Sequence, residues 1–323
     1  MGRAVRITVV GLAALGVVAA VGVAIHTGLG PLPARQGCTA TVGDHTVEVS
    51  TEQAENASLI AAIGVRRGLP ARAVSIALAT AYQESKILNI DYGDRDSLGI
   101  FQQRPSQGWG SVEQVQDPVY STNAFYDALE RVKGYEDMRI TEAAQRVQRS
   151  GFPEAYEQHA DDARALASAL TGFSPGGRFT CVVRHDADAG STELDDQGLT
   201  ERAAAVRADL RRAFGDVPMG GFAPGGVSNG HMEGSAHYEG RAVDVFVRPV
   251  NEANNRRGWA IAAYLVANAA RLEIQHVIFD ARIWSEGRRS EQGWRTYDPD
   301  TSGRSPDAVE ILEHRDHVHV DVP

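Results

Sequence analysis

The chain has 323 residues, 43% of them hydrophobic, which exceeds what one compact core usually occupies and predicts two domains. Its formal net charge of −10 at pH 7 argues against nucleic acid as the main partner, because phosphate binding needs basic patches. We therefore expect no nucleic-acid partner.

The N-terminus carries two arginines in MGRAVR, followed by an uncharged apolar run over residues 7–25. That run reaches the length of about 20 residues with which a helix crosses a bilayer. A cleaved signal peptide is the alternative, although the run is long for one and no small-x-small cleavage site follows it. We predict a single membrane anchor within residues 1–30. The positive-inside tendency then places everything after residue 30 outside the cytoplasm, as a secreted protein if the segment is cleaved.

The two cysteines, Cys38 and Cys181, lie in the short β-like stretches CTATV and RFTCVV. A disulfide between them would tie together the ends of a first domain, residues 36–181, in an oxidising compartment. Two unpaired buried thiols are the alternative.

Between the cysteines the spacing of apolar residues predicts helices. TEQAENASLIAAIGVRRG begins with a capping-like Thr and Glu and ends at Gly68, and PARAVSIALATAYQES begins with a first-turn proline. Further helices are predicted in PVYSTNAFYDALERV, ITEAAQRVQ and PEAYEQHADDARALASAL. The polar loop NIDYGDRDSLGIFQQRPSQGWG interrupts them, and a loop of that length in a helical domain is more often functional than structural.

Glu84 lies at the end of the second predicted helix, immediately before that loop. The apolar neighbours Ala81 and Ile87 can desolvate its carboxyl group and keep it protonated near neutral pH, as a general acid for glycosidic cleavage requires. A solvated glutamate at a helix end is the alternative.

ALATAYQES and GDRDSLGIFQQ together resemble the paired signature of the lysozyme-like soluble lytic transglycosylases and goose-type lysozymes, over roughly residues 52–172. The resemblance implies that Glu84 is the general acid. It also implies that the turn from Gly99 to Gln102 shapes the groove for the sugar.

Two further features concern that resemblance. Asp94 and Asp96 lie where goose-type lysozymes carry an aspartate that positions water. The Ala-Tyr-Asn-Gly element that usually completes the transglycosylase groove is absent, and Tyr156 is its candidate replacement. A domain that binds glycan without cutting it therefore stays open.

Residues 182–198 are rich in Gly, Ser and Asp and are predicted to form a flexible linker. Residues 199–323 mix helical spacing, in TERAAAVRADLRRAF and NRRGWAIAAYLVANAARL, with short β-branched runs, in VDVFV, HVIFD and HVHVDV. The predicted fold class is thus two domains after an N-terminal transmembrane helix. The first is a mostly α, lysozyme-like domain, and the second is an α+β domain with a small antiparallel sheet.

Six of the ten histidines lie in the last 93 residues, at positions 231, 237, 276, 314, 317 and 319. Catalytic zinc typically takes three ligands from His, Asp or Glu and leaves one position for water, whose pKa falls to about 7. His237, Asp244 and one C-terminal histidine meet that requirement. Alternation along HVHVDV puts His317, His319 and Asp321 on one face of a strand and three valines on the other.

SAHYEGRAVD matches at every position the Ser-x-His-x-x-Gly-x-Ala-x-Asp pattern of the zinc D-alanyl-D-alanine peptidases, and DHVHV resembles their closing motif. The resemblance covers about residues 200–323. It implies one Zn²⁺ held by His237, Asp244 and His319.

The same resemblance implies roles for the neighbouring residues. Asp316 takes the position of the acidic residue that activates water, and His317 that of a histidine that stabilises the tetrahedral intermediate. Asp321 is an alternative base, but a structural role is favoured for it. Many relatives carry an arginine before the Ser-x-His motif, and none stands between residues 212 and 241 here. Arg241 and the pair at 288 and 289 are candidates to replace it, although solvated loops are the favoured interpretation of these arginines.

The leading hypothesis is a bifunctional hydrolase of peptidoglycan, with glycan strands and stem peptides as its partners outside the membrane. One alternative is a zinc peptidase whose lysozyme-like domain only binds glycan. Another is a non-catalytic wall-binding or scaffold protein with degenerate sites. Carboxypeptidase and endopeptidase activities are not distinguished.

Overall fold

The computed structural model describes residues 35–185, 188 and 190–323. The predicted membrane anchor, and the alternative signal peptide, lie outside these residues. Across the described part of the chain, no helix is both long and apolar enough to cross a membrane. For the described residues the predicted fold class is wrong, because they contain no transmembrane helix and the two predicted domains are not separate. Gly37–Pro323 instead form one compact unit.

The first half of this unit contains helices and a small sheet. Its helices are α1 (Thr51–Arg66), α2 (Ala71–Ser85), α3 (Val112–Gln116), α4 (Pro118–Glu130), α5 (Ile140–Gln148) and α6 (Ala160–Leu170). Its strands are β1 (Gly37–Val42), β2 (His45–Val49) and β3 (Phe179–Val182), paired antiparallel in the order β2-β1-β3. Cys38 lies opposite Cys181 in this sheet, and the two form the predicted disulfide.

Local sequence accounts for the helix that carries Glu84. Pro70 precedes α2, where its fixed φ suits a helix start and its missing N–H is not needed. The helix ends at Lys86, which adopts a left-handed conformation with φ 60°. This sharp end leaves Glu84 in the last turn, at the edge of the following loop.

The second half carries the remaining elements. Its helices are α7 (Glu201–Phe214), α8 (Glu252–Ala267) and α9 (Pro306–Leu312). Its strands are β4 (Met219–Gly220), β5 (Ala242–Phe246), β6 (His276–Phe279), β7 (Arg282–Ser285), β8 (Arg295–Thr296) and β9 (His317–Asp321). They pair antiparallel in the order β4-β5-β9-β6-β7-β8, so the strand with the HxH motif is central.

The two faces of this sheet differ in chemistry. Val318 and Val320 of β9 share a face with Val277 and Phe279 of β6, and α8 packs on that face. The opposite face presents the alternate residues of β9, which are His317, His319 and Asp321. A packed apolar face therefore fixes the strand that carries the polar site.

Helix α8 also joins the two halves into one core. It lies against both the six-stranded sheet and α1, and Asn268 at its C-terminal end donates a hydrogen bond to Ser58 of α1 (3.1 Å). The indoles of Trp284 and Trp294 donate to the carbonyl oxygens of Cys181 (3.0 Å) and Phe179 (2.9 Å). The C-terminal end of the disulfide-closed segment thus contacts the second half.

Replacing Gly258 of α8 with alanine should destabilise the protein, because a Cβ there would lie 2.0 Å from Cζ of Phe279. Overpacking typically costs about 1–3 kcal/mol, against a gain of at most about 1 kcal/mol in helix propensity. We expect a lower free energy of unfolding in urea denaturation. Gly151→Ala is the matched control, since a Cβ at that position meets nothing within 4 Å. Equal stabilities of the two variants would contradict this close approach.

Candidate metal centre and glycan site

Three side chains from adjacent elements converge in the second half. The pairing of β5 with β9 sets Asp244 directly opposite His319, and the turn Ala236–Glu239 before β5 carries His237. Nε2 of His237 lies 3.1 Å from Nδ1 of His319 and 3.2 Å from Oδ1 of Asp244, and those last two atoms are 3.1 Å apart. All three side chains are buried.

This donor set fits a zinc ion. Tetrahedral zinc with bonds of about 2.0–2.1 Å places its ligand atoms about 3.3 Å apart, close to the separations found here. The second nitrogen of each imidazole donates to an oxygen, as in most metal-bound histidines. Nδ1 of His237 donates to the carbonyl of Gly221 (2.7 Å), and Nε2 of His319 donates to Asp321 (3.3 Å).

Gly221 completes the wall of this site. It adopts φ 79°, a conformation that favours glycine, and a Cβ there would lie 2.3 Å from the ring of His237 and 3.0 Å from Asp244. A side chain at this position would displace two of the three candidate ligands.

The electrostatics of the metal-free site favour an ionised carboxylate. Burial raises the pKa of Asp244, but hydrogen bonds from His237 and His319 outweigh it and hold that pKa well below its usual range. Burial lowers the pKa of His319, but Asp244 and Asp321 together raise it to about 9. Metal binding therefore has to displace a proton from His319 near neutral pH.

Asp316 and His317 form a second group beside the ligands. Nδ1 of His317 donates to Oδ1 of Asp316 (2.6 Å), and its Nε2 lies 3.8 Å from Oδ1 of Asp244. Nε of Arg248 donates to Oδ2 of Asp316 (2.7 Å), and Nη2 of Arg248 forms an ion pair with the same oxygen (2.7 Å). The guanidinium also stacks on Phe246, with 4.2 Å to the ring centroid. Among the described residues, the ion pairs of Asp316 are those with His317 and Arg248. The group that faces the ligand atoms is thus His317, with Asp316 behind it.

Burial raises the pKa of Asp316, but His317 and Arg248 outweigh that effect and lower it. The carboxylate is therefore held ionised against Nδ1 of His317. Asp321 occupies the corresponding position on His319 and also accepts from Nδ1 of His276 (2.9 Å). This arrangement matches the structural role favoured for Asp321.

Two residues of this site, Arg248 and His276, were not predicted from the sequence as site residues. Arg248 continues the alternation of Asp244 and Phe246 along VDVFVR, and that period of two was the signal that could have located it. His276 reaches the site because it pairs with Asp321 across β6 and β9, a register that carries no local signal. Arg241, a candidate substrate-binding arginine, instead donates to Glu239 and to the carbonyl of Val322.

In the first half, the structure brings Glu84 and Tyr156 together. The hydroxyl of Tyr156 donates to Oε1 of Glu84 (2.7 Å), and Tyr156 is fully buried. Burial raises the pKa of Glu84, and hydrogen bonds from Tyr156 and Gln148 lower it less than burial raises it. A carboxyl group with a raised pKa next to a loop is suited to donate a proton.

The Gly99–Gln102 turn lies beside the end of α2. Oγ of Ser85, the residue after Glu84, donates to the carbonyl of Ile100 (2.7 Å) and ties the turn to the helix. Gly99 has φ 77°, and a Cβ there would lie 2.3 Å from the carbonyl oxygen of Val115. The Gln102 amide donates to the carbonyl of Tyr92 (3.2 Å), so this side chain holds the loop together.

The two candidate aspartates of that loop have different surroundings. Asp96 accepts from the backbone N–H of Ser106 (2.8 Å) and from the guanidinium of Arg104 (2.8 Å). The contacts with Ser106 first, and then with Arg104, hold its pKa well below its usual range. Asp94 is solvent-exposed, 3.8 Å from Arg95. All three contacts lie within the loop itself.

A cavity of about 840 Å³ extends from this region. Trp109, Tyr120 and Gln148 line it, together with the exposed arginines at positions 131, 146 and 149. Gln148 donates to the carbonyl of Phe101 (2.8 Å) and also lowers the pKa of Glu84, so it connects the cavity wall to that carboxyl group. Aromatic and polar walls of this kind suit a sugar polymer.

Comparison with known proteins gives one partial match. The family model described as VldE, C-terminal domain, matches residues 195–307, about a third of the chain. The matched segment includes His237 and Asp244 and ends before Asp316, His317 and His319. No curated protein shows significant similarity to the chain. The chain is therefore similar to this family over the first part of its candidate metal centre.

Proposed function

We propose that this protein remodels peptidoglycan outside the cytoplasm. The second half would hydrolyse amide bonds of the stem peptides with Zn²⁺, and the first half would cleave or bind the glycan strands. The observation that carries the proposal is the convergence of donor atoms from His237, Asp244 and His319 at 3.1–3.2 Å. The Cys38–Cys181 disulfide supports an oxidising compartment, where this polymer is found.

His237, Asp244 and His319 would hold the ion, which when bound supplies a Lewis acid that activates water and polarises the scissile carbonyl. Asp316 keeps the proton of His317 on Nδ1, which leaves Nε2 of His317 as the acceptor facing the site. That nitrogen can take the proton of the attacking water and pass it to the leaving amine. The side chain of Arg248 is 53% exposed beside this group and can bind a carboxylate of the substrate.

In the first half, Glu84 would donate a proton to the glycosidic oxygen. Trp109 and Tyr120 supply flat surfaces on which sugar rings can pack within the neighbouring cavity. Tyr156 orients the carboxyl group that donates the proton. The same cavity would bind a glycan strand even if Glu84 does not cleave it.

The His237→Ala variant should lose stoichiometric zinc and all stem-peptide products, because one of three ligand atoms is removed. Zinc is measured in the purified protein, and products released from purified peptidoglycan are identified by mass spectrometry. His45→Ala is the control, since His45 lies in the first half and pairs with Asp162. Zinc and peptide products that persist in His237→Ala would refute the metal site. A wild-type protein with neither zinc nor products would indicate a wall-binding or scaffold protein.

A further inference from the structure

The segment before the Ala236–Glu239 turn lies over the candidate metal ligands. The imidazole of His231 stacks on that of His237, with ring centroids 3.9 Å apart and an interplanar angle of 22°. A ligand nitrogen of His231, a ligand atom of His237 and one of Asp244 all lie within 4.8 Å of one another. His231 is only half-buried, so it lies between the buried ligands and solvent.

Tyr238 holds His231 in this place. Its hydroxyl donates to the carbonyl oxygen of His231 (2.6 Å) and accepts from the backbone N–H of the same residue (3.0 Å). Because Tyr238 directly follows the ligand His237, this double contact fastens the segment to the turn that carries the ligand. Glycines with positive φ lie on both sides of His231, at positions 225, 226, 230 and 234.

The Tyr238 contacts hold His231 in place, but the segment around it can bend. Positive φ is accessible to glycine at little cost, so the segment can rotate about these positions once the Tyr238 contacts break. The two Tyr238 contacts, called the Tyr238 clamp below, and the glycines together allow two arrangements of the segment. In one the imidazole of His231 lies over the ligands, and in the other the site is open.

We propose that His231 is a fourth, exchangeable protein ligand of the metal and that substrate must displace it. This inference rests on the proposed zinc-peptidase function. To reach the separation of about 3.3 Å from His237 and Asp244 that a tetrahedral site requires, a ligand nitrogen of His231 must approach by at most about 1.5 Å. Its ring must also turn out of the stack with His237, because the lone pair of an imidazole nitrogen lies in the ring plane. Zinc sites with four protein ligands are closed, whereas catalytic sites keep one position for water. The resting protein therefore holds its metal tightly with little activity, and entry of a stem peptide exchanges the imidazole for water and substrate.

The test is a zinc titration of the metal-free full chain against a chromogenic chelator, for wild type, His231→Ala and Tyr238→Phe. We expect His231→Ala to bind zinc at least about 10-fold more weakly, because the loss of an outer-shell partner of a ligand already costs about 10- to 100-fold. Tyr238→Phe, which keeps the imidazole and loses the clamp, should fall between His231→Ala and wild type. His45→Ala should bind zinc as wild type does. The visible absorption of the Co²⁺-substituted protein should change in His231→Ala, because water replaces a nitrogen ligand.

Two results would overturn the inference, and they differ in what else they overturn. Stoichiometric zinc with unchanged affinity and an unchanged Co²⁺ spectrum in His231→Ala would show that His231 is no ligand, and would leave the three-ligand peptidase intact. A wild-type protein that binds no zinc would overturn the proposed function as well. Equal melting temperatures of the metal-free wild type and His231→Ala would assign the loss of affinity to coordination rather than to folding.

Discussion

Replacing Asp316 with asparagine is expected to lower stem-peptide hydrolysis by about 10²- to 10⁴-fold while zinc stays bound. Among the described residues, Asp316 forms no hydrogen bond or ion pair with the three ligand side chains, so zinc content should not change. Its carboxylate fixes the proton on Nδ1 of His317, and an amide can present its NH₂ group there instead. The wrong tautomer would then place the proton on Nε2, where His317 could no longer accept one.

Initial rates on a defined stem peptide, together with the zinc content of each variant, would test this prediction. The matched control is Asp307→Asn, which makes the same change at an exposed acidic residue of α9. Full activity in Asp316→Asn would refute any role for Asp316 in proton transfer. Loss of both zinc and activity would make Asp316 a residue that maintains the metal site.

The candidate metal site illustrates how far its residues could be predicted. The alternation in HVHVDV correctly places His317 and His319 on one face of a strand, because that inference needs only the period of two. The separations between ligand atoms cannot be predicted from that period alone, because they depend on β5 pairing with β9 in the register that sets Asp244 opposite His319. His276 likewise reaches the site through the pairing of β6 with β9, which residue types alone do not specify.

For the fold as well, local elements could be predicted from the sequence, whereas contacts between distant elements could not. Helical periodicity predicts α1 and α8 as separate amphipathic elements in two domains, and both helices exist. Their packing against each other is a contact between residues about 200 positions apart, such as the hydrogen bond between Asn268 and Ser58. Neither helix sequence indicates which surface covers its second apolar side. The prediction of separate domains thus failed at a contact that only the tertiary structure provides.

Glycan cleavage, where it occurs, should depend on the protonated form of Glu84. Burial raises the pKa of this carboxyl group, so activity should persist above the usual pKa of a glutamate and fall as pH rises through the raised value. Glu84→Gln should lower the release of sugar ends by about 10²- to 10⁴-fold and leave stem-peptide cleavage unchanged. Mass spectrometry of the products, which separates anhydro or reducing sugar ends from shortened peptides, measures both activities in one digest.

Tyr156→Phe tests the sign of this argument. The Tyr156 hydroxyl donates to Oε1 of Glu84 and stabilises its ionised form, so its removal should raise the pKa of Glu84 further. The pH at which glycan cleavage is half lost should then move to higher values, whereas a purely structural effect would lower activity without moving the profile. Tyr92→Phe is the control, because Tyr92 is 69% exposed. A shift to lower pH in Tyr156→Phe would contradict the assignment of Glu84 as the acid. If the protein binds glycan strands but releases no sugar ends at any pH, the first half holds the glycan, and the candidate metal centre would cut the peptide.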